Sequence, residues 1–139
     1  LLHLGAGHTD GDVIIWFTES NVVHMGDQFF NGRFPYIDLG SGGRVAGYQK
    51  NVETVLNNLP GGALIIPGHG ALAEKQDLQA FAVMLKDTIN PVRQSISLNK
   101  TLDQIKAAGV PEKYKTWGVG FINTSRWLEI VYNSLTSEP

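Results

Sequence analysis

The chain contains no cysteine in its 139 residues. Disulfides and thiolate-held metals are therefore excluded, and the redox compartment leaves no mark on the sequence. Nor is there an excess of basic charge: 11 Lys and Arg against 13 Asp and Glu give a net charge of −2. No field draws nucleic acid or anionic lipid, and neither is expected as a partner. No apolar run approaches the ~18–20 residues that span a bilayer. An initiator Met is missing too, since the chain opens Leu1-Leu2-His3-Leu4 inside an apolar run. An upstream segment is expected from this opening, and localisation is not encoded in these residues.

What is present is ordinary for a compact domain, 42% hydrophobic and 17% charged. A chain of this size buries roughly 68–70% of its unfolded surface, enough for one core, so residues 1–139 are expected to form a single domain. Strands are predicted early: Leu1–Leu4, Val13–Phe17 and Val22–Met25, with Val13–Phe17 apolar on both faces. From Gln28 to Gly43 the pattern is loop-like, with Phe29, Phe30, Phe34 and Tyr36 among glycines. Apolar residues from Val45 to Leu59 repeat at helical spacing and stop at Pro60-Gly61-Gly62. Ala63–Ile66 reads as a short strand stopping at Pro67. A second helix carries Leu78, Phe81, Leu85 and Ile89, and Pro91 is expected to kink or break it. Thr101 and Gln104 form a capping box that opens a third helix, ended by Gly109. Trp117–Asn123 reads as a loop, and Trp127–Leu135 as a terminal helix. The class is α/β, a mixed sheet of short strands flanked by helices with a helical tail.

Three loops share one design, each following an apolar strand and placing a potential metal ligand among glycines. They are Gly5-Ala6-Gly7-His8-Thr9-Asp10, His24-Met25-Gly26-Asp27 and Pro67-Gly68-His69-Gly70. Strand ends lying side by side bring their loops to one rim, and glycines let backbone approach a metal without Cβ clashes. His8, Asp27 and His69 then form one constellation. Without cysteine, any metal must be held by imidazole and carboxylate, a set that suits Zn, Mn, Fe or Co. Taken singly, such a loop histidine is more often a hydrogen-bonded surface residue than a ligand, and Asp27 suits a turn.

The ordered set Gly7-His8-Thr9 with Gly11-Asp12, Val23-His24-Met25-Gly26-Asp27 and Ile66-Pro67-Gly68-His69-Gly70 resembles three consecutive motifs of the metallo-β-lactamase superfamily. The resemblance runs from Leu1 to about Leu85, and the Trp117–Tyr132 tail resembles the helical end of one hydrolase subfamily. It implies the C-terminal half of an αββα sandwich. By resemblance, His8 ligates a first metal, Asp27 bridges two and is catalytic, and His69 ligates the second; the ions are zinc, with Mn or Fe as options. Side chains sharing such a site are expected within roughly 4–7 Å of one another. The implied activity is hydrolysis of ester, thioester, lactone or amide bonds in a small-molecule substrate by metal-bound hydroxide. Asp27, where many zinc β-lactamases carry Cys or Ser, leans towards the glyoxalase II-like branch of general metallohydrolases.

One departure is large. The superfamily's His-x-His-x-Asp-His motif, which supplies most remaining ligands, does not occur in these residues. The chain is therefore expected to hold three ligands divided between two metals and to be nearly inactive alone. Asp10 and His24 are weaker candidates for residues that orient the ligands, with a solvated turn and a structural role as their alternatives. His3 reads as a packing residue. The Phe29–Tyr36 stretch suits either a substrate cleft or a cover over the sheet. A competing reading makes the chain a non-catalytic scaffold or an anion-binding module using Gly40–Gly43 at a helix N-terminus. Half a sandwich also exposes a sheet face; with Ile14, Trp16 and Val23 on it, self-association or a missing N-terminal half is expected to cover it.

Overall fold

The computed structural model describes residues 1–137. A three-stranded sheet runs in the order β1 (Ile15–Phe17), β2 (Val22–Phe30) and β3 (Leu64–His69). β1 and β2 form an antiparallel hairpin that pairs Trp16 with Val23. β3 lies parallel to β2, pairing Val23 with Ile65. A parallel pair needs a crossover, and α1 (Val45–Asn58) provides it. α2 (Lys75–Ser97), α3 (Leu102–Ala108) and α4 (Thr124–Ser137) follow. Two 3₁₀ segments, Leu39–Ser41 and Glu112–Val119, connect them.

All the helical stripes converge on one face of the sheet. Val23, Met25 and Ile65 are buried there against Tyr48 and Val52 of α1 and Leu78 and Phe81 of α2. Trp127 of α4 closes the layer, stacked on Phe34 with ring centroids 5.8 Å apart. Its indole Nε1 donates to Thr88 Oγ1 at 3.0 Å, and that hydroxyl donates to Met84 O at 2.9 Å, so this buried polar pair is satisfied.

Among the described residues nothing comparable covers the opposite face of the sheet. Val13, Ile15, Phe17 and Leu64 are 36–49% exposed there. This corrects the choice of Ile14, Trp16 and Val23 as the uncovered set. Ile14 and Val23 are buried under the helices, and Trp16, paired with Val23, packs against the same core. Side chains alternate along a strand, so an error of one residue in choosing the face exchanges the two sets.

Several boundaries also differ from the sequence reading. Leu1–Leu4 contributes one isolated bridge, Leu2 to Ile14, rather than a strand. β2 runs on past Gly26 to Phe30 and β3 past Pro67 to His69, because the two strands continue to pair. α2 passes through Pro91 unbroken. A mid-helix proline costs about 3 kcal/mol, but burial of Ile89 and Val92 contributes about 1.5–3 kcal/mol each. The Thr101–Gln104 capping box is present, whereas the start of the Trp117–Asn123 loop, Trp117 to Val119, belongs to the second 3₁₀ segment. Among the described residues no helix is long and apolar enough to cross a membrane.

Candidate metal centre

β2 and β3 end side by side, and their last residues carry the site. Between His24 and Phe30 the register of β2 slips against β3, with Gly26 at φ +53°. Such bulges re-aim a side chain that strict alternation would send elsewhere. Here the slip brings Asp27 over β3. Gly68 makes room for it: a Cβ on that residue would overlap Asp27 Oδ1 and stand 2.7 Å from Gly26 O. His69, the last residue of β3, is stacked on the buried Phe30 ring at 4.5 Å.

His8 arrives from the loop before β1. Its Nδ1 lies 2.7 Å from Tyr36 O. A carbonyl only accepts, so Nδ1 carries a proton, and the other ring nitrogen, Nε2, is turned to the site. That Nε2 faces Asp27 Oδ2 at 3.3 Å, while His69 Nε2 faces Asp27 Oδ1, also at 3.3 Å. The three residues separated by 61 positions of sequence thus share one rim, with the carboxylate between the two imidazoles.

An imidazole nitrogen facing a carboxylate at this distance is an ion pair when the ring is protonated, and a pair of ligand atoms when a metal takes the proton's place. The spacing fits a metal in that place. Two donors on a tetrahedral ion with bonds of ~2.0–2.2 Å stand about 3.3–3.6 Å apart. The donor types, imidazole nitrogen and carboxylate oxygen, suit zinc, manganese or iron. The count falls short, however. Among the described residues no group of three or more His, Cys, Asp or Glu side chains could hold a single ion. The arrangement is two imidazole–carboxylate pairs that share Asp27.

The supporting groups are not those the sequence suggested. Asp10 has no hydrogen bond to His8; its amide donates to Ser41 O, and the residue is exposed. His24 Nδ1 accepts from the Gly26 amide at 3.1 Å, a local contact within the bulge. His3 is exposed, with Nδ1 2.8 Å from Asp12 O, and does not pack in the core. What holds the His8 loop is Asp12. It accepts from Thr9 N at 3.0 Å, from Thr9 Oγ1 at 2.7 Å and from Gln28 Nε2. Gln28 is 1% exposed and follows Asp27 directly in β2. Nothing in the local sequence flags it, because only the fold brings residue 28 to residue 12.

Two polar atoms in this layer, Gln28 Oε1 and Tyr48 Oη, are buried without a hydrogen-bond partner among the described residues. For Gln28 the reason is plain. An ionised carboxylate only accepts, so the NH₂ end must face Asp12 and the oxygen turns into the core. Burial pushes the Tyr48 phenol well above its usual range, and the charges of Asp27 and Asp12 act in the same direction, so Tyr48 stays neutral.

Phe29, Phe30 and Phe34 are at most 1% exposed and cover the sheet, whereas Tyr36 is half-buried with its ring edge-on to His8, centroids 5.8 Å apart. The exposed apolar side chain at the rim is Phe121, 5.6 Å from the His69 ring. The glycine-rich helix start is occupied by the protein itself. Gly43 N donates to Asp38 O, Arg44 N to Gly7 O, and Val45 N to Ser134 Oγ. The Asp38 carboxylate sits on Ser41, whose hydroxyl holds it below the usual carboxylate range. An anion site at Gly40–Gly43 is therefore overturned. These glycines serve close packing, since a Cβ on Gly43 would overlap His8 O.

No family description matches the sequence, and no curated protein does. Solved structures do match. A metallo-β-lactamase from Pontibacter korlensis superposes with a TM-score of 0.53 at 14% identity, over 62% of this chain and 40% of that one. DIM-1 metallo-β-lactamase gives 0.52 at 18%, over 61% and 40%. A metallo-β-lactamase from Hirschia baltica gives 0.51 at 23%, over 60% and 38%. The chain thus spans about two-fifths of the length of these structures. Over 60–62% of its own residues it has the metallo-β-lactamase fold.

Proposed function

We propose that this chain supplies one side of a two-metal hydrolase centre, with His8 on one zinc ion, His69 on the other and Asp27 shared between them. The observation that carries the reading is the position of Asp27, whose two oxygens each lie 3.3 Å from a different imidazole Nε2. Bound zinc ions would lower the pKa of water and polarise the scissile oxygen. The chain's own residues do the positioning. The Tyr36 carbonyl orients the His8 ring, Phe30 supports the His69 ring, and Phe121 offers an apolar lip for a substrate.

A catalytic zinc commonly needs three protein ligands and one open position. Each ion here has two, so the 139-residue chain is expected to bind zinc weakly and to hydrolyse little by itself. Esters, thioesters and lactones are the favoured substrates over β-lactams, on the Asp27 resemblance. The test titrates the chain with zinc by calorimetry and by thermal melting. Zinc should raise the melting temperature of the wild type but not of Asp27→Ala. No shift in the wild type at millimolar zinc, or an equal shift in Asp27→Ala, would overturn the proposal.

A further inference from the structure

We infer that Asp12 and Gln28 are positioning residues that set the separation of His8 and Asp27. The inference rests on the reading of that pair as metal ligands. Asp12 holds Thr9 by two hydrogen bonds, and Thr9 is the chain neighbour of His8. The same carboxylate takes the Gln28 amide, and Gln28 is the chain neighbour of Asp27. One side chain therefore ties the loop carrying the first ligand to the strand carrying the second.

The tie is built into the core, not laid over the surface. Gln28 is 1% exposed and keeps its bond to Asp12 although its other amide atom goes without a partner. A buried acceptor left unpaired is unfavourable, yet Gln28 keeps its amide on Asp12 with its oxygen turned into the core. Gly7 completes the device, because a Cβ there would overlap the Gln28 amide. The loop's other side is fixed by Arg44 N on Gly7 O at 2.9 Å and by Asp38 N on His8 O at 2.8 Å. The loop is thus held at both ends, and Asp12 decides how far His8 stands from β2.

Metal sites lose 10–100-fold in affinity when a group that orients a ligand is removed. The test compares Asp12→Asn, Gln28→Met and the milder Thr9→Val with Thr88→Val, which breaks a buried hydrogen bond to Trp127 away from the centre. Zinc affinity should fall 10–100-fold in the first three and stay within twofold of wild type in Thr88→Val, even where Thr88→Val melts lower. Equal affinities across all four would overturn the inference while leaving the metal centre standing. A wild type that binds no zinc would instead remove the proposed function. The inference is then read from ¹⁵N spectra of the His8 ring in the metal-free protein. A single Nδ1–H tautomer is expected in wild type and Thr88→Val, and averaging between tautomers in Asp12→Asn and Gln28→Met. An unchanged ring in those two variants would end it.

Discussion

Gly68 and Asp27 fit together so closely that no side chain can stand on residue 68: its Cβ would overlap the carboxylate oxygen that faces His69. The neighbouring obstacle is Gly26 backbone, which cannot swing aside as a flexible side chain would. Gly68 also lies in a strand, where glycine ordinarily weakens pairing, and a close approach is the usual reason for one. Gly68→Ala should therefore displace Asp27 from His69. Zinc affinity is expected to drop at least tenfold, on the scale of a lost supporting group. Calorimetric titration checks it, and wild-type affinity in the alanine variant would show that Asp27 can move without loss.

The two imidazoles should be separable. His8→Ala and His69→Ala each remove one pair and leave the other, so each variant is expected to retain about half the zinc stoichiometry of the wild type. Asp27→Ala removes both pairs at once. A titration in which the two histidine variants and the aspartate variant behave alike would argue for one ion rather than two.

The uncovered sheet face makes a prediction about association. Val13, Ile15 and Phe17, on β1 and its lead-in, and Leu64, on β3 beyond β2, are 36–49% exposed. Monomers seldom expose apolar patches beyond a few hundred Å². The chain is expected to self-associate as concentration rises, and Phe17→Glu should reverse this with little loss of fold. Light scattering on both proteins decides it. A wild type that stays monomeric at high concentration would show that the face is tolerated in water.

Acid stability should depend on Asp87. Hydrogen bonds from Lys113, at 2.9 Å, and from the Tyr114 hydroxyl, at 2.7 Å, hold its carboxyl below the usual carboxylate range. A depressed folded pKa stabilises the fold at pH values above the unfolded pKa of about 3.9, and that contribution is lost as pH falls through the folded value. The wild type should lose stability below about pH 4, and Asp87→Asn should show a shallower acid limb. Urea melts at pH 3 and pH 6 give the comparison. Parallel limbs would mean that the clamp on the second 3₁₀ segment does not contribute.

How much of this was legible follows from what each signal depends on. The helix of Val45–Asn58 and the capping box at Thr101 show in the sequence because their causes are local, a 3.6-residue period and a side chain reaching three positions on. His8, Asp27 and His69 could be picked out as candidates because a ligand beside glycine at a strand end is also a local pattern. Their meeting was not local. It needed the parallel pairing of β2 with β3 and the bulge at Gly26 that turns Asp27 towards His69. Which sheet face is covered was equally hidden, since a strand apolar on both sides gives no sign of which side meets the helices.

By itself, then, the sequence determined the class of the fold, its helices and the chemical types of three candidate ligands, all consequences of spacing along the chain. Tertiary structure alone decided that Asp12 and Gln28 are joined, that the Tyr36 carbonyl orients His8, that the amides after Gly42 are already taken, and that Phe121 stands beside His69. Apart from the local turn of Gly43 on Asp38, those contacts link residues 16 to 89 positions apart. Contacts of that kind form when burial of the core fixes the path of the chain, and no local propensity specifies them.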